Sequence, residues 1–132
     1  MVTPLMEDNA MHLARTLLAA AVLAAAMPAA ATAHHGWRWT EGENTRLTGI
    51  ITSAKLGNPH GEVTLDVGGT PWLVEVGQPW RNDRAGLTPE KLAEGVEMTV
   101  IGEAAADTDR KVIKAERVII DGTEHVLYPE RD

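Results

Sequence analysis

The chain has 132 residues, with 19 acidic and 12 basic side chains, a formal net charge of −7 and no cysteine. Disulfides, thiolate metal sites and thiol nucleophiles are thereby excluded. The acidic balance is a poor match for nucleic acid or an anionic membrane surface, where Lys and Arg must displace counterions from phosphates.

The first third reads as a targeting segment. Met11-His12-Leu13-Ala14-Arg15 is a weakly basic lead-in, residues 16–27 are a run of Leu, Ala and Val, and Pro28 breaks it. Ala31-Thr32-Ala33 supplies the small-x-small pattern that a signal peptidase accepts. The apolar run is shorter than the roughly 20 residues of a membrane-spanning helix. Residues 1–33 are therefore expected to be a signal peptide. Met11 is the alternative start, since Glu7 and Asp8 are out of place ahead of a signal sequence. Cleavage after Ala33 would make His34 the first residue of a periplasmic or secreted protein. With Glu7, Asp8 and Arg15 removed, its net charge is near −6. The remaining length suits one small domain.

Residues 34–45 are polar and irregular and predict an N-terminal arm. Strand signals then recur at short spacing. Residues 46–56, "RLTGIITSAKL", are rich in β-branched side chains, and "GNPHG" at 57–61 is a turn. Residues 62–67 alternate Val63, Leu65 and Val67 against Glu62, Thr64 and Asp66. Gly68-Gly69 makes a tight hairpin. Trp72, Val74 and Val76 then share one face of a third strand, and Trp72 is expected in the core. Residues 79–87 show no strand pattern and suit a short helical turn. Residues 88–95 read as a short helix, with Thr88 as N-cap, Pro89 at the first position and Gly95 just past the end.

Residues 97–103 predict a fourth strand with Met98 and Val100 on one face, followed by a polar loop at 104–110. A fifth strand spans 112–120, and Asp121-Gly122 turns the chain into a sixth piece at 124–128. Three strands, a helix and two more strands predict a mainly β fold. The expected form is a small OB-like five-stranded barrel over residues 46–128, with one short helix between strands 3 and 4. A flat or sandwich-like meander is the alternative.

Chemistry-bearing residues are few. An α-amine beside an imidazole offers two nitrogens with reference pKa values of ~7.7–8.0 and ~6.5, so both shed protons near neutral pH. Nitrogen sets of this kind favour Cu(II). A processed His34 would bind through its amine and ring, with His35 or a histidine brought close by folding as a third donor. Cleavage after Ala31 would instead place His34 third, a spacing that also chelates Cu(II). The bland alternative is a solvated end. His60 is the natural third nitrogen, because the loop between strands 1 and 2 borders the usual OB binding face. Equally, Asn58-Pro59-His60 is a plain turn sequence. His125 is expected at the surface.

Trp37 and Trp39 either pin the arm to the barrel or form a wall or ligand platform beside the histidines. Ser53 is the only serine and lies mid-strand without a nucleophile-elbow pattern. Glu41 and Glu43, and Asp107 and Asp109, read as solvated charge. No acid, base or nucleophile set points to an enzyme.

"AHHGW", "LTGIITSAKLGNPHGEVTLDV" and "PWLVEVGQPWRNDRAGL" together resemble domain of unknown function 6152, a family of small exported bacterial proteins. The resemblance covers about residues 33–120. Its matching positions are His34, His35, Gly36, Trp37, Asn58, Pro59, His60 and Trp72. Arg38-Trp39-Thr40 departs from the aromatic-Asp pairing of the family, which weighs against an arm carboxylate as a ligand. The family brings no activity with it. The residues therefore predict a monomeric periplasmic binding protein taking Cu(II) through His34, His35 and His60, with Trp37 and Asn58 as a ligand or packing platform. The second expectation is a module that docks another envelope protein without metal.

Overall fold

A computed structural model describes residues 35–131. Six strands lie in the order β3-β2-β1-β4-β5-β6. They are β1 (Thr40–Lys55), β2 (Glu62–Val67), β3 (Thr70–Glu75), β4 (Glu97–Ala105), β5 (Val112–Ile120) and β6 (Thr123–Val126). Sheet neighbours run antiparallel, and a short parallel pairing of Leu73, Val74 and Glu75 with Val112, Ile113 and Lys114 closes β3 onto β5. The first five strands thus form a ring, which is the expected OB-like barrel. Strand β6 extends the far end of β5, pairing Arg117 with Val126 and Ile120 with Thr123.

The strands form where side chains alternate, because successive residues face opposite sides of a sheet. Val63 and Leu65 on β2, Val74 on β3, Met98 and Val100 on β4, and Ile113 on β5 are wholly buried and fill the barrel. Trp72 contributes less than expected. It is partly buried at the edge of this cluster, and its ring lies 5.5 Å from the Lys111 ammonium.

Two glycines let the ring curve. A Cβ on Gly49 would sit 2.2 Å from the Asp66 carbonyl oxygen, and one on Gly102 would sit 1.9 Å from that of Lys114. Each adjoins a register shift, between Ile51 and Ser53 on β1 and between Ile101 and Gly102 on β4. Bulges beside glycine are the usual way for a strand to turn a barrel corner.

Two segments differ from the sequence reading. Strand β1 begins at Thr40, six residues before the expected strand, so the second half of the predicted arm is sheet. Asn44, Thr45 and Arg46 pair with Glu103, Gly102 and Ile101 of β4. The α-helix between strands 3 and 4 is α1 (Pro79–Arg84), whereas residues 89–92 form a single 3-10 turn. Proline opens α1, and Gly86, at φ +70°, closes it. The Leu87 amide donates to Asn82 O and the Gly86 amide to Asp83 O, a Schellman closure that satisfies the last carbonyls. Thr88, by contrast, makes no side-chain cap.

Candidate functional site

His60 follows a cis Asn58–Pro59 bond in the loop between β1 and β2. The β2–β3 ladder continues past its last strand pair into this loop. The Gly61 amide donates to Gly77 O at 3.0 Å, and the Val76 amide donates to Gly61 O at 2.9 Å. Asn82, buried on α1, holds the other side of Gly77 as a strand would. Its Nδ2 donates to Gly77 O at 2.9 Å, and the Gly77 amide donates to Oδ1 at 2.8 Å. The loop is therefore pinned at its base.

His60 and Glu62 are two residues apart on one extended segment, and Glu62 pairs with Glu75, so all three face one side. His60 Nε2 lies 3.5 Å from Glu75 Oε1 and 3.9 Å from Glu62 Oε1. Two carboxylates directly opposite on a sheet repel each other. Lys114 offsets that cost from the other side of Glu75, with its Nζ 3.7 Å from Oε2. Asn58 is exposed and, with Pro59 and His60, lines a shallow cleft of about 240 Å³.

Register pairs carry this polar row around the outside of the barrel. Glu62 pairs with Glu75, Glu75 with Lys114, Lys114 with Glu103, and Glu103 with Asn44. The two ends of the described chain cover part of the row. The 3-10 turn His35–Trp37 lies over Lys114, whose Nζ donates to Gly36 O at 3.2 Å and sits 5.1 Å from the centre of the Trp37 ring. The 3-10 turn Pro129–Arg131 brings Arg131 over the same ring at 4.0 Å. Trp37 also meets Tyr128 edge-on at 5.2 Å. Trp37 thus pins the arm to the barrel between two cations and a phenol. Trp39 lies farther along, 5.5 Å from the Arg110 guanidinium.

Beneath these turns lie two carboxylates that the sequence reading passed over. Glu103 and Glu116 are only 4% and 3% exposed. Arg131 Nε donates to Glu116 Oε1 at 3.1 Å, and its Nη2 donates to Glu103 Oε1. Asn44 Nδ2 donates to Glu116 Oε2 at 3.0 Å. The Thr40 hydroxyl bonds both Glu103 Oε2 and Trp37 O. Burial works to lower the Arg131 pKa, but its hydrogen bonds to Glu116 and Glu103 outweigh that and raise it. Burial likewise raises the Tyr128 phenol above its ordinary 10.0, against the opposing pull of the Arg81 guanidinium. Glutamates on outward-facing strand positions ordinarily read as solvated, and nothing in the local pattern shows that the chain termini will cover them.

His125 is a correction. It is 3% exposed rather than at the surface, and its Nδ1 donates to Ala85 O at 2.8 Å. His34 and the side chain of His35 lie outside the described residues. Among the described residues, no three His, Asp or Glu side chains are grouped to hold a metal ion, and no helix is long and apolar enough to cross a membrane.

The closed five-strand ring, with its short helix between β3 and β4, defines an OB-type barrel with a polar row partly covered by the turns His35–Trp37 and Pro129–Arg131. The chain belongs to the Family of unknown function (DUF6152), which matches residues 20–114. No curated protein matches it. Among solved structures it is similar to TiaS in complex with a tRNA, AMPCPP and agmatine. That match has 19% identity and a TM-score of 0.46, over 59% of this chain and 18% of that one. It is also similar to the S. pombe Stn1-ten1 complex, at 13% identity and a TM-score of 0.48, over 58% of this chain and 57% of that one. The chain thus spans under a fifth of the length of the TiaS chain.

Proposed function

We propose that this is an exported, periplasmic or secreted protein that binds Cu(II) through a processed N-terminus and the turn histidine His60. The observation that supports this reading is the cross-linked row on the outside of the barrel. Glu75 faces His60 with one oxygen and Lys114 with the other, and Lys114 holds the Gly36 carbonyl. Gly36 lies two residues after His34 in the sequence. A free amine and imidazole at His34, the His60 ring and a carboxylate of Glu62 or Glu75 make a nitrogen-rich donor set of the kind Cu(II) prefers. The His60 to Glu75 separation is slightly wider than the roughly 3 Å between donors sharing one ion, a gap that side-chain rotation closes.

Copper titration of the protein beginning at His34 tests this, read by the visible and paramagnetic resonance spectra of bound Cu(II). His60→Ala should weaken binding by about 10-fold or more and change the nitrogen count, with urea unfolding run alongside to confirm that the variant is folded. Unchanged affinity and spectrum would remove His60 from the site.

A second reading, a barrel that docks another envelope protein, draws on Trp80. This side chain is 55% exposed, stacks on the Arg81 guanidinium at 4.7 Å and borders a cleft of about 230 Å³ with Arg84. Exposed Trp and Arg are the residues most often central to protein interfaces. Retention of envelope proteins by the parent but not by Trp80→Ala would support it; equal retention by both would count against it.

A further inference from the structure

The geometry points to a guanidinium-binding site on the barrel that Arg131 occupies from within the chain. Its ligand is a guanidinium group, carried by a small cation or by an arginine of another peptide segment. The site is independent of the copper reading. Its walls come from elements other than the Pro129–Arg131 turn. Glu103 lies on β4, Glu116 on β5 and Trp37 in the 3-10 turn ahead of β1. A bulge explains how Glu116 reaches it. The β4–β5 register steps from Gly102 with Ala115 to Ile101 with Arg117, so Glu116 is the extra residue, and a bulge re-aims a side chain in this way. Both carboxylates are almost wholly buried, and each is divided alike. The Thr40 hydroxyl bonds Glu103 Oε2, and Asn44 Nδ2 donates to Glu116 Oε2 at 3.0 Å. The remaining oxygens take one edge of the guanidinium, with Arg131 Nε 3.1 Å from Glu116 Oε1 and Nη2 bonded to Glu103 Oε1. The Trp37 ring centre lies 4.0 Å from the guanidinium carbon. Two charged acceptors on adjacent nitrogens and an aromatic face suit a planar guanidinium better than an ammonium. Pro129 and Glu130 are exposed, so Arg131 is the side chain by which this turn enters the barrel surface. Lifting the turn would free a site whose walls the sheet and Trp37 hold.

The test titrates Arg131→Ala with ethylguanidinium and with a Pro-Glu-Arg peptide blocked at both ends. Ethylammonium and sodium chloride at equal ionic strength are the controls. Nuclear magnetic resonance of the Asn44 side-chain amide and the Trp37 indole reports binding, and thermal unfolding reports its effect on the fold. Ethylguanidinium should shift both signals saturably and raise the unfolding midpoint, and the controls should do neither. The parent should bind ethylguanidinium about 10-fold or more weaker, because its site is free in only a minor population. The peptide should bind the variant too. If it binds tighter than ethylguanidinium, the occupant is a peptide arginine; if weaker, a small cation. Arg131→Lys keeps a cation over the carboxylates should Arg131→Ala not fold, and ethylguanidinium should displace that cation at a lower concentration than the parent requires. No saturable binding in a folded variant, or an equal response to ethylammonium, would overturn the proposal.

Discussion

At the scale of single residues, the strongest electrostatic commitment is Arg131. Its guanidinium serves two buried carboxylates, Glu103 and Glu116. Removing one partner of a buried pair leaves uncompensated charge, which costs about 3–5 kcal/mol. Arg131→Met should therefore lower the stability measured by urea unfolding at neutral pH by about 3 kcal/mol. A loss under about 1 kcal/mol, the range of an exposed pair, would show that the network is open to water. Tyr128 gives a pH prediction. Burial raises its folded pKa above 10.0, so the neutral phenol is favoured in the folded state. The associated stability is fully present below the unfolded value and is lost as pH rises through the folded one. Ultraviolet titration of the folded protein should show phenolate forming at higher pH than in urea. The sequence reading passed over Glu103 and Glu116 and assigned His125 to the surface for one reason. Side-chain type and strand alternation give the face of the barrel, but not what later folds over it.

At the scale of elements, the two terminal 3-10 turns act as a pair. Trp37 on one is stacked against Arg131 of the other and edge-on to Tyr128, the residue just before that turn. Trp37→Ala and Arg131→Met should then be non-additive, with a coupling of about 1 kcal/mol in a double-mutant cycle. Additive losses would mean that each turn docks independently. Gly102 makes a second prediction at this scale. Lys114 O occupies the place of its missing side chain, and backbone cannot swing aside. Gly102→Ala should cost about 1–3 kcal/mol and disturb the bulge facing Ala115 and Arg117. A Gly102→Ala protein as stable as the parent would sink the close-packed corner. The helix shows how local signals compete. Proline-first, glycine-last punctuation occurs twice, at 79–86 and at 89–95. The sequence reading took the second for the helix, but the first closes with Schellman bonds around Gly86 and a wholly packed Leu87. Both segments bury a leucine, Leu87 and Leu92; what sets the first apart is the pair of Asn82 side-chain bonds to the Gly77 backbone, which punctuation does not encode.

For the whole molecule, the barrel was legible because period-2 alternation in residues 62–67 and 72–76 fixes which face is buried, and glycine turns fix the pairing of those strands. The ring closure through Leu73, Val74 and Glu75 on β5 was not legible locally, since it joins positions about forty residues apart. The same closure brings Lys114 to Glu75 and so links the arm to the His60 loop. The central claim is that the processed terminus is the metal site. Its most direct test is Cu(II) titration of protein beginning at His34 with a free amine, beside a version carrying one additional N-terminal residue. The amine and ring of His34 form one chelate only when that amine is free. The account predicts tight copper binding in the first protein and its loss in the second. Equal and weak binding in both would contradict it.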